Sequence, residues 1–471
     1  MVARALIELS RWALLALLVF APWAFGSTRL WAIDWLNAGL AMTLAVRLAG
    51  VAFGGPGRLR GLPGILLLVV GGILALGWWM TLNARAVYDP DFSIFAPLPA
   101  VVTFAPGAVD SALALAAMVR LSLMLGALVV ACEMAAEPHW RVRLWATIAL
   151  TGASIAALGV VQRAAAAPTI FWEDPSVRGS DAYTKSFFAT FYYHANAGAF
   201  LNLCLPAAGA ALLRAFSRRT PPLLLALWVA SGVMFVLASV INTSRAGQII
   251  AAGLTMGLIL WPARGLLAFT WMRQRRPLTW GVGSVGLVLL IVFLAVGLQV
   301  QFGRWQDTVR QLGAGDLLGT RLLAQSAALR AVPDAGVFGF GPGCFQAIFP
   351  YYTDFLGDRI DGIWRYLHAD YVQTLLEWGV LGTALWSVIF FGGFARGVKH
   401  YRSPEAGGDS QHDLLLPAVL LALAGVAVHA LVDFPLQIAS IQLYVVVYLG
   451  LCWGWTVRTT SGGQRRHRVT A

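Results

Sequence analysis

Runs of roughly 20 apolar residues follow one another along the chain, separated mostly by short polar segments, and each is long enough to cross a bilayer as a helix. The pattern predicts spans at 12–27, 33–53, 63–82, 110–136, 143–164, 194–213, 222–242, 245–263, 279–299, 368–394, 413–432 and 437–457. Three longer hydrophilic segments interrupt them, Asn83 to Thr103, Ala165 to Tyr193 and Val300 to Leu367. The expected fold is an all-α integral membrane protein of about 12 transmembrane helices. Helices 1–9 and two shorter loops fill 1–299, a large loop with short surface helices fills 300–367, helices 10–12 fill 368–457, and 458–471 is a basic tail.

Composition removes the soluble alternatives. Hydrophobic residues make up 59% of the 471 positions and charged residues only 12%, against about 25% charged in soluble domains. The net charge of +12 does not mark a nucleic-acid binder, because the basic residues are spread over short inter-helix segments instead of one face. Topology accounts for them. An even number of spans puts both termini on one side, and most of the 34 Lys+Arg fall on that side, including Arg141/Arg143, Arg273/Arg275/Arg276 and Arg465/Arg466/Arg468. Cytoplasmic loops are enriched in Lys and Arg, so both termini are expected in the cytoplasm and the three long segments outside. Arg4 and Arg11 precede an apolar run with no small-x-small cleavage site after it, which predicts an uncleaved first helix. Cys132, Cys204, Cys344 and Cys452 imply no disulfide framework.

Within the large loop, Arg321 to Arg330 carries apolar residues at helical spacing, with Thr320 as a candidate N-cap and Pro333 as a stop. The Gly/Pro turn Phe338-Gly-Phe-Gly-Pro-Gly343 and a polar run with Arg359 and Arg365 lead to His368, where hydrophobicity resumes. A histidine placed in the first turn of a helix tends to be neutral and able to accept a proton. The other reading is an interfacial histidine bonded to backbone. Arg245, in Asn242-Thr-Ser-Arg-Ala-Gly247, stands at a helix start that Ser244 or Thr243 can cap. Helix N–H groups and a guanidinium fork together suit phosphate oxygens, although an arginine near a helix end also snorkels to water. Arg321 combines the same features or is a plain surface charge. Arg120 and Glu377 each fall well inside a span and are expected to pair. His429 and Asp433, near the outer end of the eleventh span, are placed to line the same cavity or to act as caps. The spaced glycines 339, 341 and 343 follow no strand and are no nucleotide fingerprint, and no Cys/His or Asp spacing calls for a metal.

Several segments, in order, resemble the bacterial O-antigen ligase and O-antigen polymerase superfamily. Thr190-Phe191 with Asn196-Ala-Gly-Ala-Phe-Leu201 is similar to that family's helix entry, with Tyr193 where an asparagine is common. Thr243-Ser-Arg-Ala-Gly247 is similar to its Ser-Arg-Gly segment, and Arg321 followed by Phe338 to Phe345 to its arginine and Gly-x-Gly-x-Gly-x-Phe turn. His368-Ala-Asp-Tyr-Val-Gln373, continuing through Glu377-Trp-Gly379 to Gly382, is similar to its His-Asn-x-Tyr-Leu-Gln motif, with Ala369 in place of the usual Asn, Ser or Gln. His429-Ala-Leu-Val-Asp433-Phe resembles a further family segment.

The resemblance implies a glycosyltransferase of the bacterial inner membrane, with its active site facing the periplasm. It would transfer a glycan from an undecaprenyl-diphosphate carrier to an acceptor hydroxyl such as lipid A–core, with no cofactor, nucleotide sugar or metal. It implies His368 as the catalytic residue, Arg245 and Arg321 as donor-diphosphate ligands, and Arg365, Asp370, Tyr371, His429 and Asp433 as supporting residues. Tyr192, Tyr193, Trp364 and Tyr366 are candidates for stacking on sugars or for anchoring at the interface. A polymerase or protein O-oligosaccharyltransferase of the same superfamily is the neighbouring alternative. A transporter of polysaccharide precursor or small anions is the alternative from another class.

Overall fold

The structure, a computed structural model, describes residues 1–54, 62–173, 186–217, 220–266, 319–360, 362, 364–403 and 414–455. The helices are α1 (Val2–Trp23), α2 (Leu30–Gly54), α3 (Gly64–Leu82), α4 (Ser111–Ala135), α5 (Pro138–Ala164), α6 (His194–Ser217), α7 (Pro222–Ile241), α8 (Arg245–Leu266), α9 (Gly319–Arg330), α10 (Val332–Ala335), α11 (Phe345–Thr353), α12 (Asp370–Arg402), α13 (Leu415–His429) and α14 (Ala439–Gly454). Among the described residues, 8 helices (α1 to α7 and α12) are long and apolar enough to cross a membrane, and α8, α13 and α14 are apolar over shorter lengths. The chain is a mainly helical, multi-pass membrane protein. The expected ninth span, 279–299, and the first part of the large loop lie outside the described residues.

Three departures from the sequence reading have local causes. α1 begins at Val2 instead of 12, because buried Arg11 is neutralised by Glu8 at 3.1 Å and by Glu137, the residue just before α5, at 2.7 Å. Thr320 lies inside α9 and does not cap it. The segment after α3 contains an antiparallel hairpin, Ala86–Asp89 against Ile94–Pro97, closed by the Asp89 side chain accepting from the Asp91 amide at 3.0 Å, a common way for Asp to form a turn. Asp110 then joins hairpin to helix: one carboxylate oxygen caps α4 at the Leu113 amide (2.8 Å) and the other accepts from the Tyr88 amide (2.9 Å).

α6 and α14 form the centre of the bundle, and every residue of α14 except Gln442 is buried. α14 carries no charge, so its polar tips close onto neighbouring carbonyls. Tyr444 donates to Leu18 O and Tyr448 to Leu203 O, each at 2.7 Å, and Trp453 Nε1 to Ile389 O at 3.0 Å. Inside a bilayer such bonds fix helix register, because no water competes for the donor.

α12 is two half-helices. At Gly379, φ is +59° and ψ is −169°, and the helical ladder breaks. The freed backbone groups are taken up by residues 336–341: Phe340 N donates to Leu376 O (2.9 Å), Gly341 N to Glu377 O (3.0 Å), Val380 N to Gly336 O (3.3 Å) and Leu381 N to Val337 O (3.0 Å). A broken helix at membrane depth is tolerated when protein satisfies its backbone in this way. The approach demands glycine on both sides, since a Cβ on Gly339 would lie 2.4 Å from Glu377 O and one on Gly379 would lie 2.4 Å from Val337 C. The glycine turn is therefore a docking element for the helix that follows His368.

Candidate active site

The N-termini of α6, α8 and α12, the C-terminus of α13 and the start of α9 gather at one end of the bundle, joined by side-chain hydrogen bonds. His368 lies two residues before α12 with φ +58°. The left-handed conformation is uncommon for a residue with a Cβ and is held where surrounding structure dictates it. Leu367 N donates to Gln373 Oε1 at 3.0 Å, Gln325 of α9 donates to His368 O at 3.2 Å, and Asp370 N donates to Ala430 O at 2.9 Å. His368 is thus not in the first turn of its helix, as the sequence suggested. The group that sets its ring is a carboxylate and not the helix N-terminus.

That carboxylate is Asp433, in the turn after α13. Its Oδ1 meets His368 Nδ1 at 2.9 Å and accepts from Phe434 N at 3.0 Å, and its Oδ2 accepts from the Tyr193 hydroxyl at 3.2 Å. Burial alone would raise the Asp433 carboxyl, but the hydrogen bond and charge of His368, with Arg321 and His429 nearby, hold it below the usual carboxylate range. An ionised carboxylate only accepts, so His368 donates through Nδ1–H, and in the neutral ring the lone pair is then on Nε2. Nε2 carries no hydrogen bond among the described residues, and the His368 side chain is 19% exposed. An imidazole oriented by a carboxylate on one nitrogen and free on the other is the arrangement of a general base.

Arg321, the third residue of α9, reaches the same carboxylate through Tyr193, its Nη2 donating to the Tyr193 hydroxyl at 2.7 Å. The Tyr193 ring stacks on Phe434 at 5.6 Å and 8°, and Phe434 also meets Tyr366 at 4.8 Å and the edge of His368 at 4.6 Å. Trp364 meets His368 edge-on at 5.7 Å. Tyr192 stacks on Phe25 and accepts from Arg29 Nε at 2.5 Å. Tyr192 and Tyr193 each pack one face on a neighbouring ring, as an anchor does.

Arg245 opens α8 and is exposed, with no hydrogen bond or ion pair among the described residues. Its helix start is built as expected: Ser244 Oγ accepts from Gly247 N at 3.1 Å, and Asn242 Oδ1 accepts from Ser244 N at 3.2 Å. Asn242 also donates to His194 O at 3.1 Å, which ties this helix end to the residue next to Tyr193. Ser244→Ala is expected to cost about 1 kcal/mol of stability, read from thermal unfolding in detergent, and to loosen the helix start beneath Arg245.

The remaining candidates divide. Asp370 accepts from Leu436 N (2.8 Å) and Gln437 Nε2 (3.1 Å), and Tyr371 donates to Ala427 O (2.8 Å). Asp370 thus clamps the start of α12 to the segment just after Asp433, and Tyr371 clamps it to the last turn of α13. His429 is buried close to Asp433, with neither ring nitrogen hydrogen-bonded among the described residues. Arg365 is exposed and is not drawn into the network. Among the described residues Arg120 and Glu377 make no direct ion pair, although the charge of Arg120 still acts on Glu377. Glu377 instead accepts from Gly343 N at 3.1 Å and Gln373 Nε2 at 3.0 Å, serving the glycine lock. Ala369 supplies no side-chain cap to α12. Among the described residues no three His, Cys, Asp or Glu side chains are placed to share a metal ion.

Sequence reasoning missed the hydroxyl of Tyr193, and Gln325, Gln373 and Phe434. Gln373 and Phe434 lie within motifs already singled out, whereas Gln325 shows only as the position one helical turn after Arg321.

Residues 230–387 match the family model described as O-antigen ligase. The match supports the O-antigen ligase superfamily for this chain. The matched range holds Arg245, Arg321, the glycine lock and His368, while Tyr193 and Asp433 lie on either side of it. No curated protein matches the chain.

Proposed function

We propose that this chain is a membrane glycosyltransferase that moves a glycan from an undecaprenyl-diphosphate carrier to an acceptor hydroxyl, such as one on lipid A–core, at the periplasmic face of the inner membrane, with both termini cytoplasmic. The observation that carries the reading is His368, oriented through Nδ1 by buried Asp433, open at Nε2, and linked to Arg321 through one hydroxyl. In the proposed reaction the acceptor oxygen attacks the anomeric carbon and its proton passes to His368 Nε2. The bond from that carbon to the diphosphate oxygen breaks, the electron pair leaves with the diphosphate, and configuration inverts. Arg321 and Arg245 neutralise the leaving charge. Fixed cations aimed at developing charge are usually the largest single term in such a barrier, so no cofactor or metal is needed for the role.

The superfamily also contains polymerases and protein O-oligosaccharyltransferases, which would use the same donor and differ in acceptor. A transporter reading is less well supported, because the free and networked polar groups gather at one end of the bundle instead of at its middle.

Purified protein in detergent, given an undecaprenyl-diphosphate-linked oligosaccharide and lipid A–core, glycan and peptide acceptors, tests the proposal. Wild type is expected to modify one acceptor class, His368→Ala to lose about 10²-fold to 10⁴-fold in rate, and Arg321→Ala and Arg245→Ala to lose about 10²-fold or more. Turnover by His368→Ala within a few-fold of wild type would sink the mechanism. Solute flux through proteoliposomes without acceptor modification would sink the class.

A further inference from the structure

A guanidinium has only donors and a carboxylate only acceptors, which fixes the hydroxyl between them. Tyr193 accepts from Arg321 Nη2 at 2.7 Å and donates to Asp433 Oδ2 at 3.2 Å. The ring has no freedom to choose otherwise: it is clamped flat on Phe434, edge-on to His368 at 6.0 Å, and is partly buried. Burial pushes the phenol up, and Asp433 adds to this against the pull of Arg321, so it stays protonated. Arg321 is thereby kept one hydroxyl away from Asp433, instead of closing on it as an ion pair and burying the cation that a diphosphate needs.

We infer that Tyr193 is a positioning residue that relays to the Asp433–His368 pair whether the charge of Arg321 is bare or countered by a bound diphosphate, so that a donor diphosphate at Arg321 strengthens His368 as a base. The inference rests on the transferase reading above. With the site empty, the guanidinium polarises the hydroxyl, and the hydroxyl withdraws charge from Asp433. A diphosphate on Arg321 offsets that pull, Asp433 regains charge, and His368 holds a proton more strongly. Hydrogen bonds in series reinforce one another in this way. The charged and titratable groups around Asp433 are Arg321, His368, Tyr193, His429, His194 and Asp370. Of these, only Arg321 both meets the hydroxyl and is free to meet a phosphate.

The pH profiles of wild type, Tyr193→Phe, Arg321→Ala and the double variant test this, with the undecaprenyl-diphosphate-linked oligosaccharide varied at saturating acceptor. The acid limb of kcat/KM reports the free enzyme and that of kcat the donor-bound enzyme. In wild type the kcat limb is expected at higher pH than the kcat/KM limb. Tyr193→Phe keeps the stacked ring and loses the hydroxyl. It is expected to lower kcat about tenfold, to shrink the gap between the limbs by at least about half, and to leave the unfolding temperature near wild type. Adding Arg321→Ala to Tyr193→Phe should change the gap little further, because both act on one path. A gap in Tyr193→Phe equal to that of wild type, or additive effects in the double variant, would overturn the relay. Full activity of His368→Ala would instead overturn the reading beneath it.

Discussion

Asp433→Asn is expected to lower kcat by about 10²-fold to 10⁴-fold while the protein still folds and elutes as wild type. The amide keeps the shape of the side chain but not its capacity. Three donors converge on Asp433: His368 Nδ1–H and Phe434 N on one oxygen, and the Tyr193 hydroxyl on the other. Asparagine has a single accepting oxygen. If its amide nitrogen faces His368, the imidazole must carry its proton on Nε2 and can no longer take one from the acceptor. If it faces Tyr193, the hydroxyl loses its acceptor, and since Arg321 can only donate, the hydroxyl proton is left without a partner in the network. Steady-state transfer rates alongside a thermal unfolding curve measure this, and a rate within threefold of wild type would show that His368 is not oriented by Asp433. The same carboxylate sets an acid limit. Its folded pKa is depressed, so its contribution to stability is complete above the usual carboxylate range and is lost only as pH falls through the lower folded value. Wild type should therefore keep its network through mildly acidic conditions, and Asp433→Asn should lack this acid transition.

Gly379→Ala is expected to prevent accumulation of folded protein. A φ of +59° with ψ of −169° is open essentially to glycine alone, and the new Cβ would approach the Val337 carbonyl group at 2.4 Å. Strain alone costs about 1–3 kcal/mol, and the contact forces residues 336–341 away from the four backbone groups they satisfy. Gly71→Ala is the matched control. Gly71 lies within α3 with nothing near its Cβ position, so alanine there should be neutral or gain up to about 1 kcal/mol. Size-exclusion profiles and unfolding temperatures of the two variants separate a lock that needs glycine from a helix that tolerates it. Comparable behaviour of both would refute the lock.

Hydrophobic run length located the described spans because a bilayer imposes one length on every helix crossing it. It missed the start of α1, where the charge of Arg11 is cancelled in part by Glu137, distant in sequence at the start of another helix. It missed the hairpin at Ala86–Pro97, whose strands are too short to show a period. His368, Arg245 and Arg321 were readable because each stands at an apolar boundary beside a helix signal. Their relation was not. Asp433 is 65 positions from His368, and the Tyr193 hydroxyl joins residues on three separate elements, which no spacing along one chain encodes. Arg120 and Glu377 were expected to pair from depth alone, whereas Glu377 is engaged by Gly343 and Gln373.

The contact between residues 336–341 and the broken helix is made of peptide groups, which are the same in every residue. Val337, Phe338 and Phe340 can drift to other side chains with only packing at stake, while Gly339 and Gly379 cannot change at all. A loop under that rule is free to vary its outward chemistry over generations and still return the base-bearing helix to one position. Acceptor preference can diversify on such a scaffold without re-evolving the catalytic geometry.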